Sequence, residues 1–128
     1  MSRRPDQRGS AVVDFVMVLL VLIPLFLGIV QLGLVLHVRN TLVSAASQGA
    51  RYAAAHDRDP GDGVARTRAV ISDVLADRFA RDVGARETTV DGYPGVVVTV
   101  AAEVPALGLW GPGVRLEVEG HAVEEAAP

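Results

Sequence analysis

The chain has 128 residues, 50% of them hydrophobic, with 12 basic residues, all arginine, against 15 acids and a net charge of −3. That length holds one membrane anchor and one small domain but not two independent cores. The arginines that follow Leu36 are outnumbered by acids, so no basic patch or stripe survives and nucleic acid is not an expected partner. Without cysteine there is no disulfide framework, thiolate metal site or cysteine nucleophile.

Residues 1–9 are polar and basic, with Arg3, Arg4 and Arg8 against Asp6, and Pro5 reads as a helix breaker in a cytoplasmic leader. An apolar run then extends from Ala11 to Leu36, interrupted only by Asp14, Pro24, Gly28, Gln31 and Gly33. At helical rise it is about 39 Å long, which exceeds the roughly 30 Å hydrocarbon core of a bilayer. Residues 10–36 therefore read as a transmembrane helix, and the arginines before it set the N-terminus in the cytoplasm and the rest outside. A cleaved secretory signal competes with this reading, but its apolar region should run about 7–15 residues to a small-x-small site. The first such site here, Ser44-Ala45-Ala46, lies well past the run.

No helix stop follows Leu36, so residues 37–56 read as an extracytoplasmic continuation of the same helix, which runs from about Ser10 to Ala55. Ala45, Gly49 and Ala53 stack at i+4 spacing, with Ala46, Ala50 and Ala54 beside them. Such a face lets helices approach closely. Two uses stay open: packing against other helices, or against the chain's own domain.

Residues 57–128 read as a small α/β domain. Asp57 to Gly63 is dense in turn residues and reads as a loop closed to helix by Pro60. Val64 to Arg81 has helical period, with Val64, Ile71, Val74, Leu75 and Phe79 inward and an Asp77–Arg81 pair on the outside, covering a sheet. Three strands follow: Glu87–Val90, the β-branched run Val96–Ala102 after the Asp91-Gly92 turn signal, and Arg115–Val123. The third alternates, with Leu116, Val118 and Ala122 inward and Arg115, Glu117, Glu119 and His121 toward water. The Pro105–Gly113 loop carries Trp110, which suits a binding surface, contact with the outer leaflet or a cap on the sheet. The tail from Glu124 to Pro128 reads as frayed. The expected fold is α+β: a long N-terminal helix, then one helix and a three-stranded antiparallel sheet.

Chemistry-bearing constellations are absent from the sequence. His37, His56 and His121 have no metal-ligand spacing, no glycine-rich phosphate loop follows a strand, and no serine sits in a nucleophile elbow. No catalytic, cofactor-binding or metal residue is assigned, and no enzyme activity, small-molecule substrate or cofactor is expected.

The informative residue is Asp14, because an acid in hydrocarbon costs about 2.5–3.5 kcal/mol on insertion scales. In the first turn of a helix it can be favoured by the macrodipole and reach the interface. Counted from a cut after Gly9, however, Ser10 becomes position one of a mature chain and Asp14 position five. That is the arrangement of type IV pilin-like proteins, where an acid at position five balances the new terminal charge when helices bundle, and pairing makes a buried carboxylate tolerable.

Arg8-Gly9-Ser10-Ala11-Val12-Val13-Asp14-Phe15, the Pro24 and Gly28 interruptions, Arg39-Asn40-Thr41 and Gln48-Gly49-Ala50-Arg51-Tyr52-Ala53 together resemble the TadE-like pseudopilins of tight-adherence pilus systems over about residues 8–55. The family usually carries Glu at mature position five; Asp14 keeps the charge and is one methylene shorter. The resemblance implies a pilus-assembly pseudopilin with a class III signal peptide, cut by a prepilin peptidase between Gly9 and Ser10. Asp14 and Phe15 would serve assembly and charge pairing, and Ala45, Gly49, Ala53, Ala46, Ala50 and Ala54 helix packing. Implied partners are other pilin subunits, the pilus assembly machinery and the lipid bilayer. The implied location is the cytoplasmic membrane, single-pass, with a surface filament as the implied destination on assembly. The alternative is a permanent single-span membrane protein whose outer domain binds another envelope component; a third reading, a secreted α/β domain, predicts a soluble product lacking the apolar run.

Overall fold

The structure is a computed structural model that describes residues 5–55, 57–106 and 113–124, with the side chains of Pro5 and Asp6 left aside. Trp110 and its neighbours 107–112, His56, residues 1–4 of the leader and residues 125–128 of the tail lie outside the described residues.

The expected architecture is the observed one. Helix α1 runs Pro5–Ala54, α2 runs Pro60–Val74, a single 3₁₀ turn spans Asp77–Ala80, and strands β1 (Asp82–Val90), β2 (Tyr93–Val104) and β3 (Val114–Val123) follow. Fifty residues make α1 about 75 Å long. It continues through Pro24, where the ring removes one backbone donor. Pro5 belongs to the described helix instead of breaking it; a proline suits a first turn in particular, where the N–H groups lack intrahelical partners and proline lacks the N–H.

The same rule corrects the loop expected at 57–63. Asp59 is the N-cap of α2: its Oδ1 accepts from the Asp62 backbone N–H at 3.0 Å while Asp62 Oδ2 accepts from the Asp59 N–H at 3.0 Å. This reciprocal capping box sets Pro60 at the first helical position, so residues 60–63 are helix. The expected helix over 64–81 ends earlier than predicted. The chain turns extended at Ala76, which leaves Val74 exposed at 59% and moves Asp77 into the 3₁₀ turn. Helical i+4 spacing between Asp77 and Arg81 is lost there, and among the described residues they form no ion pair.

The sheet has order β1-β2-β3 and is antiparallel throughout. Asp91 and Gly92 join β1 to β2 with φ of 51° and 84°, the paired positive values of a type I′ hairpin. Pairing with β2 extends β1 back to Asp82, five residues before the predicted start, because Val83 and Ala85 lie opposite Val100 and Val98. The inward alternation of β3 is as expected: Leu116 and Val118 are buried, Ala122 half-buried, and Arg115, Glu117, Glu119 and His121 exposed.

What covers the sheet differs from expectation. The C-terminal half of α1 is the main cover, with α2 packed beside it against β1. Val38, Leu42, Ala45, Ala46, Ala50, Ala53 and Ala54 join Val96, Val98, Val100, Ala102, Val104, Leu116 and Val118 in one core, with Ile71 and Phe79 contributed by α2 and the 3₁₀ turn. A long helix with a strip of small side chains covers more sheet than the short amphipathic α2 can.

Candidate functional site

The candidate site is α1, which changes surroundings along its length. Between Ala11 and Val30 every residue except Leu19, itself half-buried, is exposed, and nearly all are large and apolar. A window of this helix has a hydropathy of 2.8, so α1 is long and apolar enough to cross a membrane once. A helix apolar all round needs an apolar solvent or a bundle of neighbours.

Gly9, Ser10, Asp14 and Phe15 stand at the head of this stretch, exposed, inside the helical segment. A Cβ at Gly9 would meet nothing within 4 Å, so the fold of the domain does not require glycine there. Glycine does lower helix stability, by about 1 kcal/mol relative to alanine. Ser10 and Asp14 are four residues apart and share a face one turn apart. A carboxylate at 14 and an amino group at 10 can therefore approach each other within one chain or across two parallel chains.

The small-residue face lies in entirely different surroundings. Ala45, Ala46 and Ala50 have no exposed surface, Ala53 and Ala54 almost none, and Gly49 is buried. All six face the chain's own domain. At the α1–α2 crossing, a Cβ on Gly49 would overlap the Thr67 hydroxyl and come within 2.8 Å of the Gly63 carbonyl, and one on Gly63 would stand 2.7 Å from Ala53 Cβ. Thr67 is fully buried, and its hydroxyl is satisfied within α2 by donating to the Gly63 carbonyl at 2.7 Å. On the sheet side, a Cβ at Gly120 would overlap the backbone of Ala46 and Ser47. Three glycines thus set the distances at which α2 and β3 meet α1.

The segment Gln48-Gly49-Ala50-Arg51-Tyr52-Ala53 divides between these roles. Gly49, Ala50 and Ala53 are inward, while Gln48, Arg51 and Tyr52 are exposed. Arg58 lies 4.5 Å and Arg66 5.9 Å from the Tyr52 ring centroid, so two guanidinium groups are within cation–π reach of one ring.

Sequence reasoning missed Gly63, Thr67 and Gly120, which fix these crossings, and Gln31. Gly63 falls in the stretch whose turn residues read as a loop; Gly120 sits where an inward strand residue belongs, and that alternation is its available signal. Gln31, an amide inside an apolar run, donates from Nε2 to the Pro105 carbonyl at 3.4 Å. Beside it Leu34 and Val35 pack on the core. The globular part of the protein therefore reaches down α1 as far as Gln31.

No curated protein and no solved structure matches the chain. A family match falls on α1 and stops short of α2 and the sheet: residues 9–51, from Gly9 through Arg51, match the family model described as TadE-like protein, and this is the segment that carries the candidate site.

Proposed function

We propose that the protein is a minor pilin or pseudopilin of a tight-adherence, type IV pilus-like assembly or secretion system. It inserts with its N-terminus in the cytoplasm, and the domain built from the C-terminal half of α1, α2 and the sheet lies outside. A prepilin peptidase cuts between Gly9 and Ser10, and α1 then enters a bundle with the helices of other pilin subunits. The chain performs no reaction of its own and carries no cofactor; the chemistry it undergoes is hydrolysis of one peptide bond.

One observation carries this reading: a TadE-like match that begins at Gly9, on a helix whose residues 11–30 are nearly all apolar and exposed and contain a single acid, Asp14. Glycine at position 9 leaves the backbone open to a peptidase and weakens the helix where it must unwind. After the cut, the new α-amino group at Ser10 and the Asp14 carboxylate are one helical turn apart, so charge can be cancelled within a chain or between neighbours as water is excluded. Phe15, at 64% exposure, adds apolar area at the same level for a neighbouring helix.

Replacing the acid tests the assembly role. With Asp14→Ala expressed in a host that carries the assembly machinery, membrane insertion is retained and incorporation with other pilin subunits is lost; Asp14→Glu restores it. Assembly of Asp14→Ala at the wild-type level would contradict the proposal and favour a permanent single-span protein with an outer interaction domain.

A further inference from the structure

The geometry points to a domain seated directly on the outer surface of the bilayer, through the end of the sheet where β2 stops and β3 starts, so that α1 crosses the hydrocarbon with residues 11–30 alone. The inference rests on α1 being a membrane span and adds where the span ends and what the domain touches.

Two limits meet on α1 with no slack between them. The upper limit is Gln31. Its amide holds the Pro105 carbonyl at 3.4 Å, so the Pro105 backbone, just past the end of β2, lies level with that residue. Non-helical backbone exposed to lipid does not enter hydrocarbon, because its polar groups find no partners there. The outer boundary of the hydrocarbon thus lies no higher than Gln31, and Leu34 and Val35 just beyond it pack on the protein core. The lower limit is a fixed charge: Arg8 before the cut after Gly9, and the new α-amino group of Ser10 after it. Between them, Ala11 to Val30 is about 30 Å of helix, the thickness of the core it must cross. Raising the domain off the membrane would draw that charge toward the hydrocarbon, and lowering it would submerge the Pro105 backbone.

The proposed contact surface suits an interface. Pro105, Ala106 and Gly113 are half-buried, Val114 is 45% exposed and apolar, and Arg115 beside it is exposed, 3.7 Å from the carboxylate of Asp82. An apolar side chain beside paired charges, with the Glu103 carboxylate accepting from the Gly113 N–H at 3.2 Å, fits the polar level of glycerol and phosphate. The Asp91-Gly92 hairpin is at the opposite end of β2, on the side of the domain that faces away from lipid. Seating also fixes the depth of Asp14, one helical turn inside the inner boundary, where its charge is poorly accommodated until a partner group or another subunit meets it.

The absence of cysteine allows single-site labelling of the full chain. Val21→Cys, Val114→Cys and Asp91→Cys, each carrying an environment-sensitive fluorophore, would be reconstituted in phosphatidylcholine–phosphatidylglycerol vesicles with bromine either near the glycerol backbone or near the bilayer centre. Ala106→Cys provides a second label at the seated end should Val114→Cys disturb β3. The Val21 label should lose emission to the deep bromines and the Val114 label several-fold more to the shallow bromines than the Asp91 label does. A quenched Val21 with Val114 in water, or shielded from both lipid and aqueous quencher by protein, would overturn the seating while leaving the span intact. Deep quenching at Val114 would overturn it as well. An unquenched Val21 would remove the span on which the inference rests.

Discussion

The two halves of α1 belong to one unbroken helix and share almost nothing else. Between residues 11 and 30 the side chains are large, apolar and exposed; between 38 and 54 those on one face are mostly small and buried against the chain's own sheet. Hydrophobicity drives both, but in different currencies. The first half has area and lacks a partner, so it depends on lipid or on other helices. The second half gives up side-chain volume for close approach, and its stability comes from contacts already made inside the chain. Small residues spaced for helix packing are therefore no proof of packing between subunits: here the partner of that face is α2 and β3.

The contrast can be broken at graded cost. Leu42→Ala removes a fully buried side chain from the second half and should destabilise the domain by about 2–5 kcal/mol, measured by denaturant unfolding in micelles through sheet circular dichroism. Gly120→Ala drives a methyl group into the α1 backbone at Ala46 and Ser47, where no side chain can swing aside; a loss of about 1–3 kcal/mol is expected in the same assay. Asp59→Ala removes half of the α2 capping box and should cost about 0.5–2 kcal/mol, with amide exchange accelerated first in α2. Leu22→Ala, the counterpart in the exposed half, should leave domain unfolding within about 0.5 kcal/mol of wild type. An effect of Leu22→Ala comparable to that of Leu42→Ala would erase the distinction between the halves.

Much of this was legible in the residue pattern. The apolar run, the β-branched density of Val96–Val100, the Asp91-Gly92 hairpin and the alternation of β3 each reflect a local rule that tertiary context did not override. The failures have physical causes. Pro60 reads by itself as a helix breaker, whereas at a first helical position its missing N–H is harmless, and the capping acid on each side of it determines the outcome. The end of α2 depends on Ala76, a residue with good helix propensity that tertiary packing holds extended so that Phe79 can enter the core. At the candidate site, Gly9 and Asp14 were visible through spacing. The choice of partner for Ala45, Gly49 and Ala53 was not, since it depends on Gly63, Thr67 and Gly120, distant in sequence and individually ordinary. Gln31 was visible as an interruption, but its meaning required Pro105, 74 residues away.

The account turns on whether the chain is cut ahead of the apolar half of α1. Intact-mass measurement on protein extracted from membranes of a host that carries the peptidase tests this most directly: the mature chain should begin at Ser10, and a chain still beginning at Met1 or Ser2 would contradict the proposal.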